Sequence, residues 1–143
     1  MQTVRFKGNA MEFKFIRCSV TPSLRGEFSR AQEAWNVTAN SDGFLNQCGG
    51  WDAKTGDAVV LSSWTDSTSI SKFMQKCHDK IEETSKQRET YKNCSISYLH
   101  DVLQIPAHDA SPQSDAELIR IAFCDLRRNS TKRCENPLIR CMN

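Results

Sequence analysis

Apolar residues between Glu12 and Leu99 change period several times, and the order of those changes is what most limits the folds open to this chain. "EFKFIRCSV" (12–20) alternates as a strand does, with Phe13, Phe15 and Arg17 on one side and Ile16, Cys18 and Val20 on the other. "TPSLRGEFSRAQEAW" then spaces Leu24, Phe28, Ala31 and Trp35 as one helical stripe. Thr21 stands at the N-cap and Pro22 at the first helical position, where its missing N–H costs nothing. "DGFLNQCGGWD" (42–52) is a second strand, "DAKTGD" a turn, and "AVVLSSW" the returning arm of a hairpin. A second helix, capped by Asp66 or Ser67, lines up Ile70, Phe73, Met74, Cys77 and Ile81. Past the polar connector "EETSKQRE", the run "TYKNCSISYL" (90–99) alternates through Cys94, Ile96 and Tyr98. The sum is β-α-β-β-α-β, an α+β ferredoxin-like unit with both helices on one face of the sheet.

Such a unit, under a hundred residues long, buries only about 60–65% of its unfolded surface. Because the first strand is apolar on both faces, the helix-free face needs a cover as well. Two sheets meeting face to face with their helices outside supply one, so a homodimer is expected.

The chain after residue 100 differs in character. Residues 101–117 hold two prolines and several turn formers and read as a linker between the 12–100 domain and the C-terminal segment. "LIRIAFCDL" (118–126) echoes the first strand, with Ile121 matching Phe15, Cys124 matching Cys18 and Leu126 matching Val20. The echo fades afterwards, so 118–143 reads as a truncated second repeat of one strand and a tail. A lone strand is not stable in water. This one is expected to dock on a sheet edge, in its own subunit or across the dimer.

Composition excludes several function classes. Across 143 residues the formal charge is +2. That is too mild for a nucleic-acid partner, and the cluster Arg127, Arg128, Lys132 and Arg133 lacks interleaved aromatics. No window approaches the about 18 consecutive apolar residues of a membrane span, and the N-terminus has no secretory signal pattern. A cytoplasmic protein without a membrane partner is the expectation. The seven cysteines are scattered and make no C-x-x-C pair, which points to structural thiols rather than a disulfide scaffold. Cys77 and His78 are adjacent and diverge on a helix, so no metal site is expected.

Gly49 and Gly50 sit inside a strand, where each glycine costs roughly 0.5–1 kcal/mol relative to alanine. The expectation is a bulge there that bends the sheet; the alternative is close approach of a ring or a ligand. Two titratable side chains stand out as catalytic candidates. His78, at the edge of the second helical stripe, either borders a helix–sheet cleft as a proton-transfer group or is a hydrogen-bonded boundary histidine. Arg17, a charge in a two-sided apolar strand, either pairs with an acid or binds an anionic substrate group.

Taken in order, "FIRCSVTPSLRGEFSRAQEAW", "GFLNQCGGWD" and "LSSWTDSTSISKFMQKCHDKI" resemble an uncharacterised bacterial family of the dimeric α/β-barrel superfamily. That superfamily includes antibiotic-biosynthesis monooxygenases and haem-degrading monooxygenases. The resemblance covers roughly residues 12–100 and implies a dimeric barrel and a monooxygenase-like small-molecule site. In that reading Gln47, Trp51, Trp64 and Phe73 line an apolar pocket for a small apolar or aromatic ligand. The haem-degrading relatives use an asparagine, a tryptophan and a histidine together. Here Thr68 stands ten residues before His78 and strand one offers Arg17, which departs from that pattern. With no dinucleotide motif, P-loop or nucleophile elbow, no cofactor is expected. An oxygenase of this kind would draw its electrons from an enolisable or phenolic substrate. The competing expectation is a non-catalytic sensor or interaction module, which a cleft closed by Trp51 and Phe73 would favour.

Overall fold

A computed structural model of the chain describes residues 10–101, 118–124 and 138–141. Four strands, β1 (Glu12–Val20), β2 (Phe44–Asp52), β3 (Ala58–Trp64) and β4 (Tyr91–His100), form an antiparallel sheet ordered β4-β1-β3-β2. This is the ferredoxin-like order expected from the succession of periods. Two short strands, β5 (Leu118–Arg120) and β6 (Leu138–Cys141), extend it beyond β2, with β6 on β2 and β5 on β6. The 118–120 strand therefore meets the sheet in its own chain, through β6 rather than directly. Residues 102–117, 125–137 and 142–143 of the expected linker and second repeat lie outside the described residues.

The register builds three cross-strand rows beneath the helices. Tyr98, Lys14, Ser62 and Gln47 make one; Ile96, Ile16, Val60 and Gly49 the next; Cys94, Cys18, Ala58 and Trp51 the third. Phe28 packs on Cys18, Val20 and Ala58, while Ile70, Phe73 and Ile81 gather around Trp64. Both helical stripes are thus spent on this face. No helix among the described residues is long and apolar enough to cross a membrane.

The helices differ from expectation at the start of the first and along the second. Pro22–Leu24 is a 3-10 turn leading into α1 (Arg25–Glu33), and the Thr21 side chain caps nothing. Asp66 does cap α2 (Ser67–Phe73), accepting the Ser69 N–H at 2.8 Å. After α2 come a π-helical stretch, Met74–His78, and then α3, Asp79–Ser85, so that half of the expected polar connector is helix. A π-turn holds an extra residue and shifts the phase of the next helical turn. Cys77, expected on the buried stripe, is exposed, and His78 is turned towards the sheet instead.

The glycine pair also departs from expectation. The β2 irregularity falls between Phe44 and Asn46, whereas Gly49 and Gly50 pair in regular register with Val60 and Val59. Positive φ occurs at Gly43 and Gly56 instead. Gly43, at φ 75°, offers its carbonyl to the Thr65 N–H at 2.8 Å, and any Cβ there would run into Ser69 and Thr65. A left-handed turn against a helix start is what requires the missing side chain.

On the helix-free face, Phe15 and Val59 are buried against Leu61 and Ile121, and the Phe123 ring stands 5.1 Å from that of Phe15. The chain's own 121–124 segment covers part of the surface for which a second copy was expected. Apolar area remains beside it, since Leu99 is 43% and Phe123 46% exposed. Among the described residues Cys18, Cys48, Cys77 and Cys94 are free thiols, as expected, but Cys124 is disulfide-bonded.

Candidate functional site

Between the sheet and its helices lies a cavity of about 90 Å³. Its floor is the row that holds Lys14, Ser62 and Gln47, its walls include Trp64 and Phe73, and Cys94 and Ile96 open it towards the exposed β4 edge. Lys14 is 4% exposed. Among the described residues its hydrogen-bond acceptor is the Met74 thioether, 3.3 Å from Nζ, and no carboxylate forms an ion pair with it. A thioether is a weak acceptor for an ammonium. Burial lowers the Lys14 pKa, and the nearby Cys94 and Glu82 only partly oppose it.

A second buried polar residue lines the same space. Thr38 is 3% exposed, lines the cavity, and its Oγ1 has no hydrogen-bond partner. Several other polar groups of the lining are engaged. Gln87, buried at the foot of β4, accepts from Trp35 Nε1 at 2.8 Å and donates to Gln32 Oε1 at 2.7 Å. Trp64 Nε1 donates to Ser62 Oγ at 3.0 Å. Tyr91 keeps its proton, because burial first and then the charge of Cys94 push its pKa up to about 12. The cavity thus has a hydrogen-bonded frame around a cation whose acceptor is a thioether and a hydroxyl that has no partner. It is suited to an occupant that carries an acceptor, above all an anionic oxygen.

His78 lines this cavity with its side chain 15% exposed, its ring 5.3 Å from Trp35, and Nδ1 3.0 Å from Asp79 Oδ1. It therefore has both the cleft position and the polar neighbour weighed for it. His78, Asp79 and Glu82 have ligand atoms within 4.8 Å of one another and are the group through which a cation could be held. Asp79 is 95% exposed, however, and already bonded to the histidine. Gln47, Trp64 and Phe73 join His78 around the cavity.

Trp51 and Arg17 stand elsewhere. The Trp51 ring packs on Phe28 at 5.7 Å with the Arg25 guanidinium 5.0 Å from its centre, so it does not fill the cleft. Arg17 projects from the helix-free face to Asp52 at 2.8 Å and Asp57 at 3.3 Å. Lys14 and Thr38 were missed by sequence reasoning. Lys14 had a readable signal, since alternation sets its charge among Ile16 and Cys18 just as it sets Arg17 among phenylalanines. Thr38 had none, because its burial depends on a 3-10 segment, Ala34–Asn40, that carries no periodic stripe.

Residues 13–99 match the family described as a domain of unknown function, DUF4937, and the chain belongs to that family. No curated protein matches the sequence. Among solved structures, a mutant of SnoaB, a cofactor-independent oxygenase from Streptomyces nogalater, is 13% identical with a TM-score of 0.57; the match covers 68% of this chain and 98% of that one. A provisionally assigned antibiotic biosynthesis monooxygenase from Caulobacter crescentus is 20% identical, with a TM-score of 0.56 over 66% and 92% of the two chains. A conserved protein from Methanosarcina mazei, 17% identical, gives 0.55 over 63% and 91%. At these identities the likeness establishes the antibiotic-biosynthesis-monooxygenase-like fold.

Proposed function

With that family and fold as premise, we propose that the chain is a small-molecule-binding homodimer acting as a cofactor-independent oxygenase on a small enolisable or phenolic compound. The observation that carries this reading is Lys14, a buried cation with a thioether for its acceptor, in the lining of a cavity that Thr38, whose hydroxyl has no partner, also lines. An enolate or phenolate oxygen is the complement of that pair. Stabilising the anion lowers the cost of ionising the substrate, and an electron-rich anion reduces oxygen without a flavin or metal. In this reading His78, which lines the cavity, takes the proton, and Gln47, Trp64 and Phe73 are the surrounding walls. The enclosed volume holds only a few heavy atoms, so the remainder of the ligand would lie along Ile96 at the β4 opening.

Oxygen uptake measured with a panel of β-diketones and electron-rich phenols tests this. Uptake with at least one class, lost in Lys14→Met, is the expected result; uptake equal in the variant removes Lys14 from the chemistry. The competing reading, a non-catalytic sensor module, is favoured by the small cavity. It predicts retention of a phenol by the wild type with no oxygen consumed.

The homodimer part of the proposal rests on the apolar area left on the helix-free face beside Phe123, at Leu99 and Phe13. Sedimentation at micromolar concentration is expected to give a dimer, and Leu99→Glu a folded monomer. A wild-type monomer would end this part of the proposal.

A further inference from the structure

Cys18 and Cys94 face each other directly across the β1–β4 ladder. Directly opposed residues have Cα atoms about 4.5–5.5 Å apart, inside the range that a disulfide spans. Their sulfurs are 3.2 Å apart, with Cys18 donating to Cys94. The two thiols differ in access. Cys18 is 4% exposed, whereas Cys94 is exposed on the edge strand, at the mouth of the cavity. An accessible thiol with a buried thiol in contact behind it is the arrangement of an attacking and a resolving cysteine.

We propose that Cys94 and Cys18 form an oxidant-responsive dithiol, in which a small hydroperoxide oxidises Cys94 and Cys18 resolves the product into a cross-strand disulfide. This is independent of the oxygenase reading. The Cys94 thiolate attacks the terminal oxygen of the hydroperoxide and the O–O bond breaks. Sulfur gains hydroxyl, and the leaving alkoxide or hydroxide takes a proton to become alcohol or water. Cys18 then attacks the Cys94 sulfur, forms the S–S bond and releases hydroxide, which leaves as water with the proton Cys18 gives up. In total, two thiols and one hydroperoxide become one disulfide, one alcohol and one water, and the thiols lose two electrons.

The surroundings favour that order of attack. The hydrogen bond from Cys18 holds the Cys94 pKa down at about 7; burial and Glu82 oppose it, and the Lys14 and Arg88 charges add to it. The same bond and burial push the Cys18 thiol up, so it waits as the protonated partner. Oxidation of Cys94 removes the anion responsible for the largest part of that rise. In the reduced pair the lowered pKa gives Cys94 a larger thiolate fraction at neutral pH than an ordinary thiol has, and its reactivity increases with pH until that thiolate is fully formed.

The test treats the full chain with hydrogen peroxide at neutral pH, blocks remaining thiols by alkylation and maps the peptides by mass. The expected result is a Cys18–Cys94 linked peptide, lighter by two hydrogens, with Cys94 protected from alkylation roughly tenfold faster than the exposed Cys77, which serves as the internal control. In Cys18→Ser, Cys94 becomes trappable by dimedone as a sulfenic acid. Oxidation of Cys94 no faster than Cys77 would overturn the proposal. So would passage of Cys94 to the sulfinic acid, or its linkage between chains, without the Cys18 bridge.

Discussion

Lys14→Met is expected to raise thermal stability while it abolishes binding of an anionic ligand. Lys14 is buried, with a thioether as acceptor, and burial lowers its pKa. Unfolding returns the amine to water and to an ordinary value near 10.4, so the unfolded chain binds more protons than the native one wherever the pH lies between the two values. Stability therefore rises with pH across that window, up to about 10.4, and below it the full penalty of the buried ammonium is present. Methionine has nearly the same length, packs against Met74 and carries no charge. Removing the penalty is expected to gain roughly 1–2 kcal/mol at neutral pH, or about 3–8 °C in melting temperature, and to flatten the alkaline rise. Thermal melts from pH 7 to 10 on both proteins, alongside the oxygen-uptake assay, check both halves. A variant that melts lower than the wild type with an unchanged pH slope would mean that the ammonium is well compensated, and the anion site would lose its physical basis. The opposed signs matter because a merely structural lysine does not destabilise its own fold.

Why that residue stayed hidden while the fold did not is a matter of which information is local. The strands and helices between Glu12 and His100 are set by period-2 and helical spacing, and the ferredoxin-like order follows from their succession. The π-turn at Met74–His78 has no comparable signature; it decides that Cys77 faces out and His78 in, and so contributes directly to the cavity. Facing rows are equally non-local. That Lys14 shares a row with Ser62 and Gln47, and Cys18 one with Cys94, depends on strand register, which no single segment specifies. The glycine pair misled for a related reason. The φ that requires glycine belongs to Gly43, where the chain meets the start of α2, a contact invisible from inside β2.

Arg17→Met is expected to be the most damaging of the substitutions at the residues singled out by charge, and to do so without touching the cavity. Its Nη1 bonds the Asp52 carboxylate at 2.8 Å, and that side chain is 1% exposed. Burial works to raise the Asp52 pKa, but the Lys54 N–H, the Arg17 guanidinium and the Thr55 N–H together hold it below the usual carboxylate range. Asp52 also carries the turn between β2 and β3, through its bonds to Lys54 and Thr55 at 2.8 and 3.1 Å. Truncating the cation leaves a buried carboxylate with backbone donors alone, for which breaking a buried pair suggests a loss of roughly 3 kcal/mol, and somewhat less here because Arg17 is a quarter exposed. The pH signature has a definite sign. A depressed carboxyl pKa contributes stability that is present above its unfolded value near 3.9 and lost as pH falls through the lower native value. Without Arg17 the native pKa rises, so acid unfolding of the variant begins at higher pH. Adding Asp52→Asn to Arg17→Met removes the stranded charge and should recover part of the loss, which a double-mutant cycle by urea unfolding measures. If Arg17→Met instead keeps its stability and loses oxygen uptake, the guanidinium belongs to the substrate site and the helix-free face, not the cavity beneath the helices, is where the chemistry must be sought.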